Sequence, residues 1–430
     1  MNVHESEKIA GVLRSYGMEE CQDPKLADIA VLNTCAIRES AELKIESFIG
    51  NLKKSKKEGT TKCVALIGCM SQQDGKAQEL KKKFPQIDII LGTHNLKNFK
   101  TILDKFLKTG ATQIEILQQR LDGDLEEVYR TSGTNAWVNI SFGCNNFCSY
   151  CIVPYVRGRE VSRNEEEIIS ECAKLIADGY KQITLLGQNV NSYGNDIEDP
   201  NINFPNLLKK IDAIDGEYRI RFMTSHPKDL SDKLIEVMKN GRHICHSVHL
   251  PVQSGSNETL KRMNRKYTRE HYLSIVKKLK DAMPEIELTT DIIVGFVGET
   301  EEDFLDTLEL IKEVKYQQIF GFLYSKRKGT AAEKMEGHLP LAVKKERLAR
   351  LINLEREIAS NISAGYVGKK LRVLVERTNK LFLVGSTEQN KNINLSLPKD
   401  TKPEDYIGKF VTAQVTSSKL TVLYGKIVEE

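Results

Sequence analysis

Three cysteines, Cys144, Cys148 and Cys151, stand near the middle of the chain in the stretch SFGCNNFCSYC, spaced C-x3-C-x2-C. Three thiols are one short of a structural zinc site, and a three-ligand catalytic zinc site is normally rich in histidine. Three thiolates with one position left open suit a [4Fe–4S] cluster whose fourth iron takes a different ligand. Two more cysteines, Cys35 in LNTC and Cys69 in LIGC, each close an apolar run. The other four, Cys21, Cys63, Cys172 and Cys245, have no such placement and read as buried or incidental thiols.

The elements that must position these thiols are legible in the hydrophobic pattern. ADIAVLNTC (27–35), KCVALIGCM (62–70) and IDIILGTHN (87–95) read as buried strands. Helical stretches separate them, such as 38–56, with Ala41, Ile45, Phe48, Ile49 and Leu52 at helical spacing. Strand and helix in alternation predict an open parallel sheet, which places its ligands at the carboxyl ends of its strands, where Cys35 and Cys69 fall. The alternation resumes on a larger scale. Strands are expected near 136–142, 183–190, 219–225, 247–253, 287–296 and 317–325, and helices at 165–178, 231–239, 268–281 and 301–314. Six βα units predict a partial (β/α)6 barrel with its chemistry at the strand C-termini, and Cys144 directly follows the first strand.

A long charged helix is expected at 341–363. Beyond it KKLRVLVE, LFLVGST, FVTAQVT and LTVLYGKIV alternate apolar and polar residues between Gly, Asn and Pro breaks, the pattern of a small all-β barrel. The fold class is therefore α/β with an all-β C-terminal barrel, and domains are placed at 1–125, 130–362 and 363–430. Hydrophobic residues make up 40% and charged residues 28% of the chain, as in ordinary globular proteins. The polar start MNVHESEKIA lacks the apolar core of a signal peptide, and no apolar run approaches the ~18 residues of a membrane helix. These features predict a cytoplasmic protein, where cysteines serve as metal ligands or buried thiols rather than in disulfides. The net charge is +4, and residues 365–430 carry all of it, with 11 Lys/Arg against 7 Asp/Glu. Basic runs such as KKSKK (53–57), KKK (81–83) and KRK (326–328) are ordinarily solvated faces. Beside a basic β-barrel they point to RNA.

C-x3-C-x2-C after the first barrel strand resembles the radical S-adenosylmethionine (SAM) superfamily. LLGQNVNSYG, RFMTSHP, HLPVQSGSNETLKRMNRKYTRE and TTDIIVGFVGETEEDF, with the N-terminal LNTCAIRESAE and LIGCM, resemble the methylthiotransferases within it. The likeness runs from residue 1 to the C-terminal barrel, which resembles an RNA-binding TRAM domain. NTCAIRESAE and IVPYVRGRE are most similar to the branch that methylthiolates C2 of N6-isopentenyladenosine beside the tRNA anticodon. Val297 stands where this family usually has proline in G-F-P-G-E-T, and Lys328 where proline is common; both remove a rigid φ from a loop.

The resemblance implies a set of cofactors and partners. Cys144, Cys148 and Cys151 would hold the radical SAM [4Fe–4S] cluster, with SAM on its open iron as the source of a 5′-deoxyadenosyl radical. Cys35 and Cys69 would hold a second, auxiliary [4Fe–4S] cluster that delivers sulfur. The family's third ligand lies in a G-C-Q-M-N motif, and this sequence starts at the Met of that motif, so the cysteine and its strand are expected upstream of Met1, with Cys21 or Cys63 as the alternative third ligand. Two SAM molecules are implied, one giving the methyl group and one the radical that abstracts the C2 hydrogen.

Candidate cofactor-binding residues follow from the same resemblance. Tyr150 would contact adenine through its backbone, and Gln188 and Asn189 the methionyl amine. Ser225, with His226, ends the third strand; Gln253 would take ribose or carboxylate, and Arg265 a carboxylate or phosphate. Asp291 and Glu299 flank the fifth strand and are weaker candidates for holding substrate. No catalytic residue beyond the clusters is assigned. Expected partners are the tRNA anticodon stem-loop and an electron donor such as flavodoxin or ferredoxin, with a monomeric protein and no membrane. Alternatives are the siblings that modify threonylcarbamoyl-adenosine in tRNA or an aspartate of a ribosomal protein. From another class, a non-catalytic Fe–S RNA-binding protein shares the same features.

Overall fold

Apolar runs that end in small polar residues become parallel strands here, each followed by a helix. The computed structural model describes residues 1–36, 39–121, 123, 125, 128–130, 132–379, 381–398 and 401–428. Strands β1 (Ile29–Thr34), β2 (Cys63–Gly68), β3 (Ile89–Leu91) and β4 (Gln113–Glu115) form one sheet in the order β1-β2-β3-β4, all parallel. β2 is buried at every residue because helices cover both faces of the sheet, which is why CVALIG reads as a continuous apolar run. The helices Glu39–Lys57 and Lys76–Lys83 bring Ile49, Leu52 and Leu80 against Leu32, Val64 and Leu66. On the other face Asn2–Ser15 and Phe99–Thr109 bring Ile9, Val12, Phe99 and Leu103 against Ala65, Ile67 and Ile89. The three-residue β4 was not anticipated, because QIE holds a single apolar residue.

The short strands β5 (Asn135–Asn139), β6 (Ser141–Phe142) and β7 (Val161–Ser162) bracket the cysteine loop in sequence. β8 (Gln182–Leu186), β9 (Arg219–Met223), β10 (Ser247–His249), β11 (Glu287–Val294) and β12 (Gln318–Leu323) follow in βα repeats. β5-β8-β9 and β10-β11-β12 are parallel sheets. A bridge between Ile220 and Ile244 and a bond from Ser225 N–H to His249 C=O (3.2 Å) link them into a six-stranded partial barrel. Asn164, Ser231, Thr268 and Thr300 cap the intervening helices through side-chain oxygens, and Thr300 with Asp303 forms a reciprocal capping box. β10 stops at His249 rather than continuing to 253. Pro251 has no N–H to give a ladder, and Gln253 turns to φ 70°.

The helix Leu341–Ala364 leads into β13 (Lys370–Thr378), β14 (Phe382–Thr387), β15 (Asn392–Ser396), β16 (Phe410–Lys419) and β17 (Val422–Ile427), a closed barrel in the order β13-β14-β15-β17-β16. Its core is Val373, Val375, Leu383, Ile393, Leu395, Ala413, Val415 and Leu423. β15, in NINLS, is the one barrel strand the sequence pattern did not mark.

The chain divides into two compact units, residues 1–131, 142–147 and 151–160 in the first, and 132–141, 148–150 and 161–430 in the second. The second thus contains both the partial barrel and the β-barrel, joined by a polar seam. Arg219 donates to Gln182 Oε1 (2.6 Å), Ser386 C=O (2.8 Å), Ser386 Oγ (2.6 Å) and Glu376 Oε1 (3.3 Å). Arg221 donates to Thr387 C=O (2.5 Å) and Glu388 C=O (3.1 Å). Among the described residues no helix is long and apolar enough to cross a membrane.

Candidate iron–sulfur and cofactor sites

In the first unit, strand register decides which cysteines become neighbours. β1 and β2 pair in parallel from Ile29 with Cys63 to Thr34 with Gly68. Cys35 and Cys69 are the next residues on each strand, so adjacent strands about 4.8 Å apart deliver two thiols to one sheet edge. Gly68 makes this possible: its φ is 99°, and a Cβ there would stand 2.6 Å from Thr34 C=O. Cys63, a conceivable substitute ligand, lies at the opposite end of β2, and burial pushes its thiol up to about 12. Cys21 is exposed, with its thiol on Asp23 C=O (3.2 Å).

Cys69 is buried, and its sulfur accepts the Nε–H of Arg157 at 3.2 Å. Arg157 Nη1 and Nη2 donate to Glu5 (2.7 and 3.3 Å), and Nη2 also to Asn2 Oδ1 (2.8 Å). Burial opposes the Arg157 charge, but Cys69 and Glu5 outweigh it and hold its pKa above the ordinary value. Burial pushes the Cys69 thiol up, with Arg157 opposing. Around the same strand ends, Asn33 Oδ1, Gln72 Oε1, Asn95 Oδ1 and His94 Nε2 are buried without hydrogen-bond partners. His94 Nδ1 meets Leu117 C=O at 3.0 Å, so Nδ1 carries the proton and Nε2 presents a lone pair.

The C-x3-C-x2-C loop begins with a second tight approach. Gly143 has φ 71°, and a Cβ there would fall 2.0 Å from Arg159 C=O; the following Cys144 N–H donates to Gly158 C=O (3.2 Å). Asn146 Nδ2 stands 3.5 Å from Cys144 Sγ. Cys144, Cys148 and Cys151 are each half-buried. After Cys151 the chain forms the short helix Val153–Arg157, whose Val156 packs with Ile152, Ala36 and Cys69.

In the second unit, Arg265 is the counterpart of Arg157. Its Nη1 donates to Cys148 Sγ (3.3 Å), its Nε to Tyr267 OH (2.9 Å) and its Nη2 to Pro251 C=O (2.8 Å). Burial opposes its charge, while Tyr267, Tyr150 and Cys148 raise its pKa well above the ordinary value. Ser149 anchors the loop through its hydroxyl to Arg262 C=O (2.8 Å). Tyr150 lays its ring edge-on to Phe296 in an apolar cluster with Met263, Val297 and Tyr324. Val297, in the place of a proline, is thus core.

The other sequence candidates sit at strand C-termini. Gln188 and Asn189 follow β8; Asn189 Nδ2 donates to Asp229 Oδ2 (2.7 Å), and its Oδ1 is buried without a partner. Ser225 follows β9 with its hydroxyl buried and unpartnered. His226 is pushed down to about 2, by burial first and then by Arg265 and Lys228, so it is neutral; its Nδ1 accepts from Lys228 N–H (3.2 Å). Gln253 is buried with a left-handed backbone, the conformation by which strained residues concentrate at functional sites. Asp291 Oδ2 pairs with His249 Nε2 at 3.6 Å. Glu299 is committed to Arg347 (2.6 Å) and Gly295 N–H (3.0 Å), a packing role rather than a ligand-holding one.

These residues fit the groups the cysteines suggest. Among the described residues no three His, Cys, Asp or Glu side chains converge on one point as a single metal ion requires. A four-iron cube takes each thiolate on a separate iron, and a guanidinium beside Cys69 and beside Cys148 balances the negative charge of such a cluster. The unpartnered amide of Asn139, the Asn189 Oδ1 and the Ser225 hydroxyl give a polar cofactor buried donors and acceptors at the ends of three strands. Sequence reading missed Arg157, Asn139 and Tyr267. VRGRE marked Arg157 only as part of a motif, and nothing local to it signals a partner 88 residues away.

Known proteins are similar to this chain in sequence along nearly its whole length. Residues 138–311 match the Radical SAM superfamily, residues 1–92 the uncharacterized protein family UPF0004, and residues 365–428 the TRAM domain. The tRNA-2-methylthio-N(6)-dimethylallyladenosine synthase of Clostridium botulinum (strain Langeland) is 48% identical over 99% of this chain and 94% of its own length. That of Carboxydothermus hydrogenoformans is 46% identical over 100% of this chain and 97% of its own. Among solved structures, the radical SAM methyltransferase TsrM of Kitasatospora setae, with cobalamin and a [4Fe-4S] cluster bound, matches with a TM-score of 0.55 at 14% identity. The match covers 76% of this chain and 73% of that one, a likeness of fold.

Proposed function

Because the chain belongs to the tRNA-2-methylthio-N(6)-dimethylallyladenosine synthase family, we propose that it methylthiolates C2 of N6-isopentenyladenosine beside the tRNA anticodon. The observation that carries this reading is the full-length likeness at 46–48% identity. When bound, two [4Fe–4S] clusters and two SAM molecules supply the electron, the radical, the sulfur and the methyl group.

The chain's own residues hold and orient those groups. Cys144, Cys148 and Cys151 ligate the radical SAM cluster, and Arg265 steadies it through the Cys148 sulfur. Cys35 and Cys69 supply two ligands of the auxiliary cluster. Tyr150 meets adenine through its backbone while its ring is clamped against Phe296. Gln188, Asn189, Ser225 and Gln253 present polar atoms to SAM from the strand ends. With three of its donors engaged, Arg265 acts at the edge of the SAM site rather than as a free anion clamp. Residues 1–125, 130–362 and 363–430 form the sulfur-delivering, radical and RNA-binding domains. The C-terminal barrel carries the net positive charge, and phosphate neutralisation dominates affinity for RNA. The enzyme works as a cytoplasmic monomer with a flavodoxin- or ferredoxin-like electron donor.

Mass spectrometry of tRNA nucleosides from a deletion strain tests the reading. Loss of 2-methylthio-N6-isopentenyladenosine, build-up of N6-isopentenyladenosine and an unchanged methylthiolation of the ribosomal protein are expected. An unchanged nucleoside profile would overturn it.

A further inference from the structure

We propose that Arg157 is a positioning residue for the Cys69 sulfur, and through it for the auxiliary cluster, delivered by the same loop that carries the radical SAM cysteines. This rests on the reading of Cys69 as a cluster ligand. Arg157 lies six residues after Cys151 and ends the helix Val153–Arg157. Its fork is engaged at all three nitrogens: Nε–H on Cys69 Sγ, and both Nη groups on Glu5, with Nη2 also on Asn2. Val156, one residue earlier, accepts the Thr93 hydroxyl and packs on Cys69, so the guanidinium has little freedom to leave the sulfur.

A buried arginine needs one carboxylate, and Glu5 meets that need. The third contact is therefore the informative one. A neutral thiol is a weak acceptor; the sulfur becomes a strong one as the thiolate, the state that binds iron. Nε–H···S is thus strongest in the cluster-loaded protein. A positive donor on a ligand sulfur favours the more negative, reduced cluster and slows loss of iron. Arg157 lies in neither cysteine set, yet its replacement should change the auxiliary cluster specifically.

The test uses the full chain with Cys144, Cys148 and Cys151 all replaced by Ala, so that only the auxiliary site can load. Arg157→Lys, Arg157→Gln and, as a control on helix placement, Thr93→Val are made in this background. After anaerobic reconstitution, iron per chain, iron release to a chelator and the cluster's reduction potential by EPR are measured. Both Arg157 variants should release iron roughly 10–100-fold faster. At a fixed potential their reduced-to-oxidised ratio should fall about tenfold, which is about 59 mV for a one-electron couple. Thr93→Val should keep the parent's potential. Arg157 variants that match the parent, or a Thr93→Val shift as large as theirs, would overturn the proposal. If Arg157→Gln does not fold, Arg157→Lys, which keeps the charge facing Glu5, decides alone. Reconstitution is run with dithiothreitol present to fill any cluster position the chain leaves open; a parent that then loads no iron overturns the assignment of Cys69, and the proposal with it, whereas a loaded parent with unaffected Arg157 variants overturns the proposal only.

Discussion

Replacing Arg219 with methionine keeps most of the side-chain volume and removes the guanidinium that joins the partial barrel to the β-barrel. The magnitude follows from who is left without a partner. Arg219 is 2% exposed, and burial, then Arg221, brings its pKa down to about 10. Gln182 Oε1 would keep the Arg221 Nε–H (2.9 Å), and Ser386 Oγ would keep Glu376 (2.5 Å). Ser386 C=O loses the donor named for it, at a cost of about 1–3 kcal/mol for a buried acceptor. The loss should therefore be about 1–3 kcal/mol, because the buried charge leaves with the guanidinium and only that acceptor stays unmet. Glu376 is 28% exposed and can hydrate, so Glu376→Gln should cost under about 1 kcal/mol. Trp137, the single tryptophan, lies on β5 in the second unit, so its fluorescence reports that unit's unfolding. Thermal melts followed at Trp137 should fall by at least roughly 2 °C for Arg219→Met, at ~2–4 °C per kcal/mol. A melting temperature within about 1 °C of the parent would show that the seam does not hold the barrels together.

Cys144→Ala should abolish 5′-deoxyadenosine formation from SAM after anaerobic reconstitution, because no other cysteine has its spacing; full cleavage would refute the radical assignment. Glu287 accepts the Tyr366 hydroxyl at 2.7 Å, and burial raises its pKa above 4.5 against the pull of Lys391. The folded chain therefore binds this proton more tightly than the unfolded one, and the stability it contributes below pH 4.5 is lost as pH rises through the folded pKa. Glu287→Gln should remove that fall in urea midpoints read at Trp137, and identical pH profiles would count against it. Deleting 365–430 would strip the cover from Arg219, Arg221 and Glu287, so RNA binding is better tested at exposed Arg377, Lys409 and Lys426. Alanine at each residue that meets a phosphate should lower tRNA affinity and flatten the salt dependence by ~0.7–0.9 in log–log slope; an unchanged slope excludes that residue from the interface.

Much of this protein was written in its local sequence. The strands from β5 to β12, the two-residue β7 apart, and the helices between them follow apolar periodicity, which records which face of an element is buried without reference to any distant residue. The C-x3-C-x2-C loop and the strand-end places of Cys35 and Cys69 are legible for the same reason, since each depends only on neighbours along the chain. β4 escaped because QIE holds a single apolar residue, and β15 because the Asn and Ser residues of NINLS ordinarily mark turns. Only the tertiary structure decided the rest. The register of β1 on β2 brings Cys35 beside Cys69, and a slip along the ladder would part them. The guanidinium of Arg157 reaches Cys69 across 88 residues, and that of Arg265 reaches Cys148 across 117. Such polar pairings leave no periodic trace: a buried charge needs a partner at a point in space, and that point exists only once the core has placed both backbones.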